Sequence, residues 1–188
     1  DIVWQKAEKF TGFKSFIPDF GKEMPQKTES WISYDEENLY FAFRCYDDEP
    51  DKIIATIRNR DDIGKEDWVC VNLDSHNDQQ AISAFYVNPF GIQADARFAA
   101  GQEDESADFV WYSAGQIDEQ GYTIEIRIPL KSLRFSDHDP VEMGIILERK
   151  IARQSIQGMY PEMDPDQGYA FLNQMMVISM TGVKHYKL

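Results

Sequence analysis

The chain has 188 residues, 43% of them hydrophobic and 13% aromatic, which suits one globular domain with a single sizeable core and excludes a disordered chain. Thirty-three Asp and Glu stand against nineteen Lys and Arg, a net charge of −14, so the surface repels nucleic acid and anionic lipid, which need a basic face. No apolar run reaches the roughly 18 residues of a membrane helix, and no basic-plus-apolar signal segment stands at the start.

The chain opens inside a motif, Asp1-Ile-Val-Trp4, as a mature form or an excised domain would. Residues 1–28 read as a loop-like strap, with Phe10, Phe13, Phe16 and Phe20 spread among Gly, Pro and Lys, and with Pro18 and Pro25 barring a continuous helix. Residues 28–34 form a strand and 35–38 a hairpin turn. The next strand, 39–46, sets Leu39, Phe41, Phe43 and Cys45 on one face and Tyr40, Ala42, Arg44 and Tyr46 on the other, the habit of a central strand. An acidic loop, 47–51, leads to a strand over 52–57.

Three strands follow, over 67–74, 81–87 and 92–98. The first alternates Val69, Val71 and Leu73 against Trp68, Cys70, Asn72 and Asp74, and carboxylates bracket it at both ends. The second stops at Asn88-Pro-Phe-Gly91, a turn made of residues that tolerate turn backbone. A second acidic loop, 101–106, precedes a hairpin of strands 109–117 and 122–129. A turn at 129–133, a long strand over 141–152, a loop over 159–168 and a last strand near 175–180 complete the chain. Nine or ten strands at near-regular spacing predict an all-β fold, an antiparallel β-sandwich, as one domain over 1–188. Cys45 and Cys70 fall mid-strand as small buried hydrophobes, or as a disulfide if their strands are neighbours.

A sugar site needs a flat aromatic ring and a few hydrogen-bonding groups. Trp31, Trp68, Trp111, Tyr112 and Tyr160 are the ring candidates, with Asn88, Gln93, Asp95 and Arg97 as polar partners. Trp4 and Trp31 read as core, Trp111 suits either role, and Trp68 shares a face with Asn72 and Asp74. Calcium wants six to eight converging oxygens, which Asp47 and Asp48, Asp61 and Asp62 with Asp67, Asp74 with Asp78, or Asp164 with Asp166 could contribute; solvated acidic loops are the plainer reading of each cluster. No carboxylate pair stands out for glycosidase chemistry, and no Gly-x-Ser-x-Gly elbow is present.

The ordered series Asp1-x-x-Trp4, Tyr34-Asp35, Leu39-Tyr40, Arg60-Asp61, Asp67-x-Val-x-Val-x-Leu-Asp74, Phe85-x-Val-Asn88-x-x-Gly91 and Gly121-Tyr122-x-x-Glu125-x-x-Ile128-Pro129 resembles the family 9 carbohydrate-binding module. It is similar in particular to the variant at the N-terminus of bacterial surface proteins that carry an outer-membrane-type β-barrel domain; Arg134-Phe135 and Gly144-Ile-Ile-Leu-Glu-Arg149 fit that variant. The resemblance implies a jelly-roll-like sandwich, calcium, and a poly- or oligosaccharide partner such as xylan. It also implies attachment to a larger extracytoplasmic protein acting on glycans, and no catalysis by this domain.

On that basis Trp68, Asn88, Gln93, Arg97, Trp111 and Tyr160 are the expected sugar contacts, and Asp47, Asp48, Asp61, Asp62, Asp67 and Asp74 the expected calcium ligands. The family clamps a terminal sugar between two rings, one of them just before the Asp-x-Val-Glu strand. Here Gly64 and Lys65 occupy that approach, Cys70 replaces the Glu, and Tyr86 stands where a polar residue is expected, with Tyr160 and Tyr169 as candidates for the second ring. A domain with its sugar cleft lost and packed on its barrel is the alternative reading. A b-type haem sandwich ligated through Met143, Met159, Met163, Met175, Met176 or Met180 is a second.

Overall fold

Short turns fold neighbouring strands back on one another, and the residues of each turn explain why. Asp35 accepts the backbone N–H groups of Glu37 and Asn38 at 2.8 Å each, closing the hairpin between β3 (Thr28–Tyr34) and β4 (Asn38–Tyr46). Asn88 accepts from the N–H of Phe90 and Ile92 and so turns β6 (Ala81–Val87) into β7 (Gln93–Ala99). Gly121, at φ 130°, starts β10 (Gly121–Pro129) where a Cβ would stand 2.0 Å from the carbonyl oxygen of Cys45, so only glycine fits. In the computed structural model the described residues are 4, 7–99 and 101–186, and the side chains of 103 and 168–171 lie outside that description.

The remaining strands are β1 (Glu8–Thr11), β2 (Lys14–Ile17), β5 (Trp68–Asp74), β8 (Gln102–Asp104), β9 (Tyr112–Asp118), β11 (Val141–Ile151), β12 (Ile156–Tyr160) and β13 (Met176–Met180). They pair into a five-stranded sheet in the order β1-β3-β4-β10-β9. The second sheet has eight strands in the order β2-β12-β11-β5-β6-β7-β8, with β13 also on β11. The strand pairings are antiparallel. The expected β-sandwich is the observed fold. Its core is the space between the sheets: Leu39, Phe41, Phe43 and Cys45 of β4 and Ile124, Ile126 and Ile128 of β10 face Val69, Val71 and Leu73 of β5 and Met143, Ile145 and Leu147 of β11.

The larger sheet is also covered on its outer face, which is why all seven residues of β5 are buried. Ile63, Trp68, Cys70, Ala84 and Ala96 form one outer cluster, and Ile82, Ile146, Met159, Met163 and Met175 another. On the same face Asn72 and Gln157 donate to the buried Glu148.

Several expectations are corrected. The strap contains two short strands, β1 and β2, because Phe10 and Phe13 turn into the core while the backbone completes a sheet edge. Residues 52–57 are not a strand: a 3-10 turn at Pro50–Lys52 leads into irregular chain whose backbone is held by side chains, with Ile54 N–H on Asp67 and the Thr56 carbonyl accepting from Asn88. The loop at 101–106 includes β8, and the strand expected from 109 begins at Tyr112. The late loop holds the end of β12 and the 3-10 segment Pro165–Gln174. Cys45 and Cys70 are buried and lie in different sheets, and no disulfide joins them.

One end of the sandwich is locked by Arg149. Its side chain is fully buried and reaches from β11 across to the other sheet, where it donates to the carbonyls of Lys27 (2.9 Å) and Tyr46 (2.8 Å) and to the Thr28 hydroxyl (3.1 Å). The Tyr122 ring lies 5.5 Å from the guanidinium. Beside it Asp47 receives both Arg153 nitrogens at 2.7 Å. Burial alone would push the Asp47 carboxyl up; the Arg153 hydrogen bonds and the Glu49 N–H outweigh it and hold it below its ordinary value of 3.8.

Three outcomes follow from this corner and from the buried thiols. Arg149→Met removes the donors of three acceptors, two of them part-buried, and is expected to lower the unfolding free energy by about 3 kcal/mol in urea titration; an unchanged midpoint contradicts the lock. Because the Asp47 value is depressed, its contribution is present above 3.8 and lost as pH falls through the lower folded value. The stability gap between wild type and Asp47→Asn is therefore expected to narrow from about pH 5 towards about pH 3, and a constant gap would refute the ion pair. Both thiols of the native protein are expected to resist a thiol reagent until denaturant is added.

Candidate functional site

The outer face of the five-stranded sheet is shaped by side-chain size. Register places Trp31, Ala42, Glu125 and Ala114 in one line across β3, β4, β10 and β9, with Glu29, Arg44, Thr123 and Gln116 in the next. The small residues sink the middle of the sheet, while Trp31 on one side and Trp4 above stand proud. The result is a cleft of about 580 Å³, within the ~300–1,000 Å³ range of small-molecule sites. With strands about 4.8 Å apart, the line from Trp31 to Ala114 spans roughly 14 Å.

The groups around this cleft are ordered by charge. The Trp4 indole N–H donates to Glu125 at 2.9 Å. Glu29 takes Lys9 at 2.8 Å, Lys27 at 2.7 Å and the Tyr46 hydroxyl at 3.3 Å. Burial raises the Glu29 carboxyl, and the hydrogen bonds from Lys27 and Lys9 outweigh that and hold it below its ordinary value. Lys9 lies over the Trp31 ring, while Lys27 and Arg44 both lie over Tyr46. Arg44 is fixed by a two-point contact with Asp118 at 2.6 and 2.9 Å. The site thus pairs an aromatic wall with fixed hydrogen-bonding groups.

Trp4 and Trp31 are therefore not core residues, contrary to expectation. The signal for Trp31 was parity: it alternates with Ser30 and Ile32, which point inward, and shares its face with Glu29.

The expected sugar contacts are dispersed. Trp68 lines a second hollow on the outer face of the other sheet, about 220 Å³ in volume, with Asp61, Gly64, Tyr86 and Glu105. The Trp68 ring is only 7% exposed and packs edge-on against Tyr86 at 5.1 Å. Asn88 is wholly buried and serves its turn, donating also to Glu66. Gln93 accepts from Arg60 at 2.7 Å and donates to the Trp111 carbonyl at 3.1 Å. Trp111 is a core residue at 4% exposure, edge-on to Phe85. Tyr160 packs between the sheets against Phe10 and Phe13, and the Tyr169 side chain lies outside the described residues. Arg97 lines a third cleft, at the far end of β6 and β7.

The aspartates expected to hold calcium are engaged elsewhere. Asp67 accepts the N–H groups of Ile54 (2.6 Å) and Ala152 (3.1 Å), and burial pushes its carboxyl up. Asp74 accepts from His76 and Gln79 in the following loop. Asp61, at φ 69°, takes the N–H of Asp95, and Asp62 pairs with Arg58 at 3.2 Å. Asp48 is exposed. Among the described residues no three His, Cys, Asp or Glu side chains gather into one group. Met143 and Met180 fill the core, and Met159, Met163 and Met175 fill the second outer cluster.

Solved structures with the same architecture come from carbohydrate-binding proteins. A family 9 module from Caldicellulosiruptor kristjanssonii in complex with glucose superposes with a TM-score of 0.67 at 15% identity, covering 100% of this chain and 91% of that one. The cellotriose complex of a family 9 module from the same organism gives 0.63 at 16% identity, over 98% and 87%. A candidate carbohydrate-binding protein from Bacteroides uniformis gives 0.70 at 12% identity, over 95% and 88%. No curated protein sequence matches. The family model described as carbohydrate family 9 binding domain-like matches residues 1–155. The chain belongs to the carbohydrate family 9 binding domain-like family and is a non-catalytic carbohydrate-binding module.

Proposed function

We propose that this module binds neutral poly- or oligosaccharide on the outer face of its five-stranded sheet, as the recognition part of a larger cell-envelope protein that works on plant glycans such as xylan. The observation that carries the reading is the Trp31 cleft. Sugars are uncharged and carry apolar C–H faces, so they need a ring to lie on and fixed donors and acceptors beside it. Trp31 and Trp4 supply the rings, while Thr123, Gln116 and Glu125 supply hydrogen-bonding groups within the same cleft. Glucose and cellotriose are the ligands named for two structural neighbours, which makes β-linked glucose oligomers the first series to try, with xylo-oligosaccharides beside them. The Trp68 hollow, at about 220 Å³, falls below the usual range for a ligand pocket.

A second reading has the module pack on a β-barrel domain of the same protein. The narrow Trp68 hollow favours it, as does Ile57, 82% exposed on the irregular segment before β5.

Calorimetric titration with cello- and xylo-oligosaccharides separates the faces. Trp31→Ala is expected to weaken binding about fivefold to tenfold. Trp68→Ala is expected to lower the melting temperature by emptying a packed hollow, with affinity kept within about twofold. Full binding by Trp31→Ala together with loss in Trp68→Ala would move the site to the other sheet.

A further inference from the structure

The eight arginines of this acidic chain have unequal company. Arg44, Arg58, Arg60 and Arg153 are ion-paired, Arg149 is buried on carbonyls, and Arg127 lies 4.2 Å over the Tyr112 ring. Arg97 and Arg134 have no carboxylate within ion-pair distance among the described residues, and both line the same cleft of about 490 Å³. In a molecule of net charge −14, carboxylates are plentiful, so two guanidiniums that line one hollow beyond ion-pair distance of any described carboxylate are the unusual arrangement.

The unequal sheets create the hollow. The five-stranded sheet ends at β9, while the other sheet continues through β6, β7 and β8. The overhang is covered by the segment before β9, whose Phe109 and Trp111 rings pack on Phe85 at 5.3 and 5.2 Å. Arg97 stands opposite Ser83 in the β6–β7 register, on the same side of β7 as Asp95. The 3-10 turn Leu130–Ser132 after β10 brings up Arg134, whose carbonyl is anchored by the Ser75 hydroxyl at 2.6 Å.

We propose that this cleft binds the carboxylate of an acidic sugar, a hexuronate residue within a glycan. Asp78 lies in the lining and Asp104 stands opposite Arg97 in the β7–β8 register, so the two guanidiniums carry too little net charge for a phosphate or sulfate dianion but keep two planar donor forks for a carboxylate monoanion. Asp78 itself is turned to the Gln80 N–H at 3.0 Å. The half-buried Phe109 offers a ring for a C–H face, and Ser83 and Gln80 offer partners for hydroxyl groups. The net charge of −14 repels anions over the surface at large, so the two guanidiniums mark this cleft as the place for the charged residue of a chain. The proposal rests on the module binding carbohydrate, but not on the Trp31 face.

Calorimetry with oligogalacturonides and with neutral cello-oligosaccharides of equal length, on wild type, Arg97→Gln/Arg134→Gln and Trp31→Ala, tests it. Both arginines are exposed, and an unchanged melting temperature certifies the double variant. The double variant is expected to lose at least about tenfold in affinity for the acidic oligomer and nothing for the neutral one, and added salt is expected to weaken only the acidic ligand. Arginine-dependent uronate binding with no neutral binding would sink the Trp31 reading and support the cleft. Uronate binding that the double variant keeps, no uronate binding by wild type, or displacement of the uronate by inorganic phosphate at equal concentration would each overturn the proposal.

Discussion

A guanidinium without water around it is what the two sheets share. Hydrophobic contact between sheets is non-directional and tolerates sliding, whereas Arg149 has to meet Lys27 O, Tyr46 O and the Thr28 hydroxyl at defined places. A buried cation is costly unless its donors are met, and here both terminal nitrogens of Arg149 are met while its Nε has no partner among the described residues. The end of β4, the start of β3 and the long β11 are therefore held in one relative position. Tyr46 contributes its carbonyl to Arg149 and its ring and hydroxyl to the outer face, so the lock and the rim of the Trp31 cleft share a residue.

The second constraint is the mismatch of five strands against eight. Among the described residues the outer face of the smaller sheet carries Trp4 but no packed cluster, and the floor of Ala42, Ala114 and Thr123 becomes a cleft rather than a second core. The larger sheet has apolar residues on both faces and buries the outer ones under the segment before β5 and the late 3-10 segment. Its overhang past β9 makes the arginine-lined cleft. Three hollows thus follow from one inequality, and they differ in chemistry: an aromatic cleft with fixed polar groups, a small packed hollow, and a cationic end.

The sandwich was legible because period-two alternation does not need a partner to be recognised. β4, β5, β6, β10 and β11 lie within a residue or two of where alternation and turn residues put them. Elements whose conformation depends on distant partners were not legible. β1 and β2 are four residues each and exist because β3 and β12 offer open edges. Residues 52–57 have strand-like composition but pair with no strand among the described residues, and side chains of Asp67 and Asn88 hold them instead. The site was read less well than the fold. Trp111, Asn88 and Tyr160 carry sugar-binding chemistry in principle, but their burial depends on what packs across the sandwich, which composition does not reveal. The carboxylates that bracket β5 looked like metal donors, and in the structure the N–H groups of Ile54 and Ala152 meet Asp67 while those of His76 and Gln79 meet Asp74. The approach to β5 did announce its narrowing, through Gly64 and Cys70, and the structure puts Gly64 at the small hollow and Cys70 in its packed wall.

The central claim is that recognition happens on the smaller sheet. The most direct measurement is a backbone amide NMR titration with a cello-oligosaccharide. Shifts concentrated at Glu29, Trp31, Ala42, Ala114, Thr123 and Glu125, with Gly64, Trp68 and Tyr86 undisturbed, are the predicted result. Shifts concentrated at Gly64, Trp68 and Tyr86, with Trp31 and its neighbours unmoved, would contradict it.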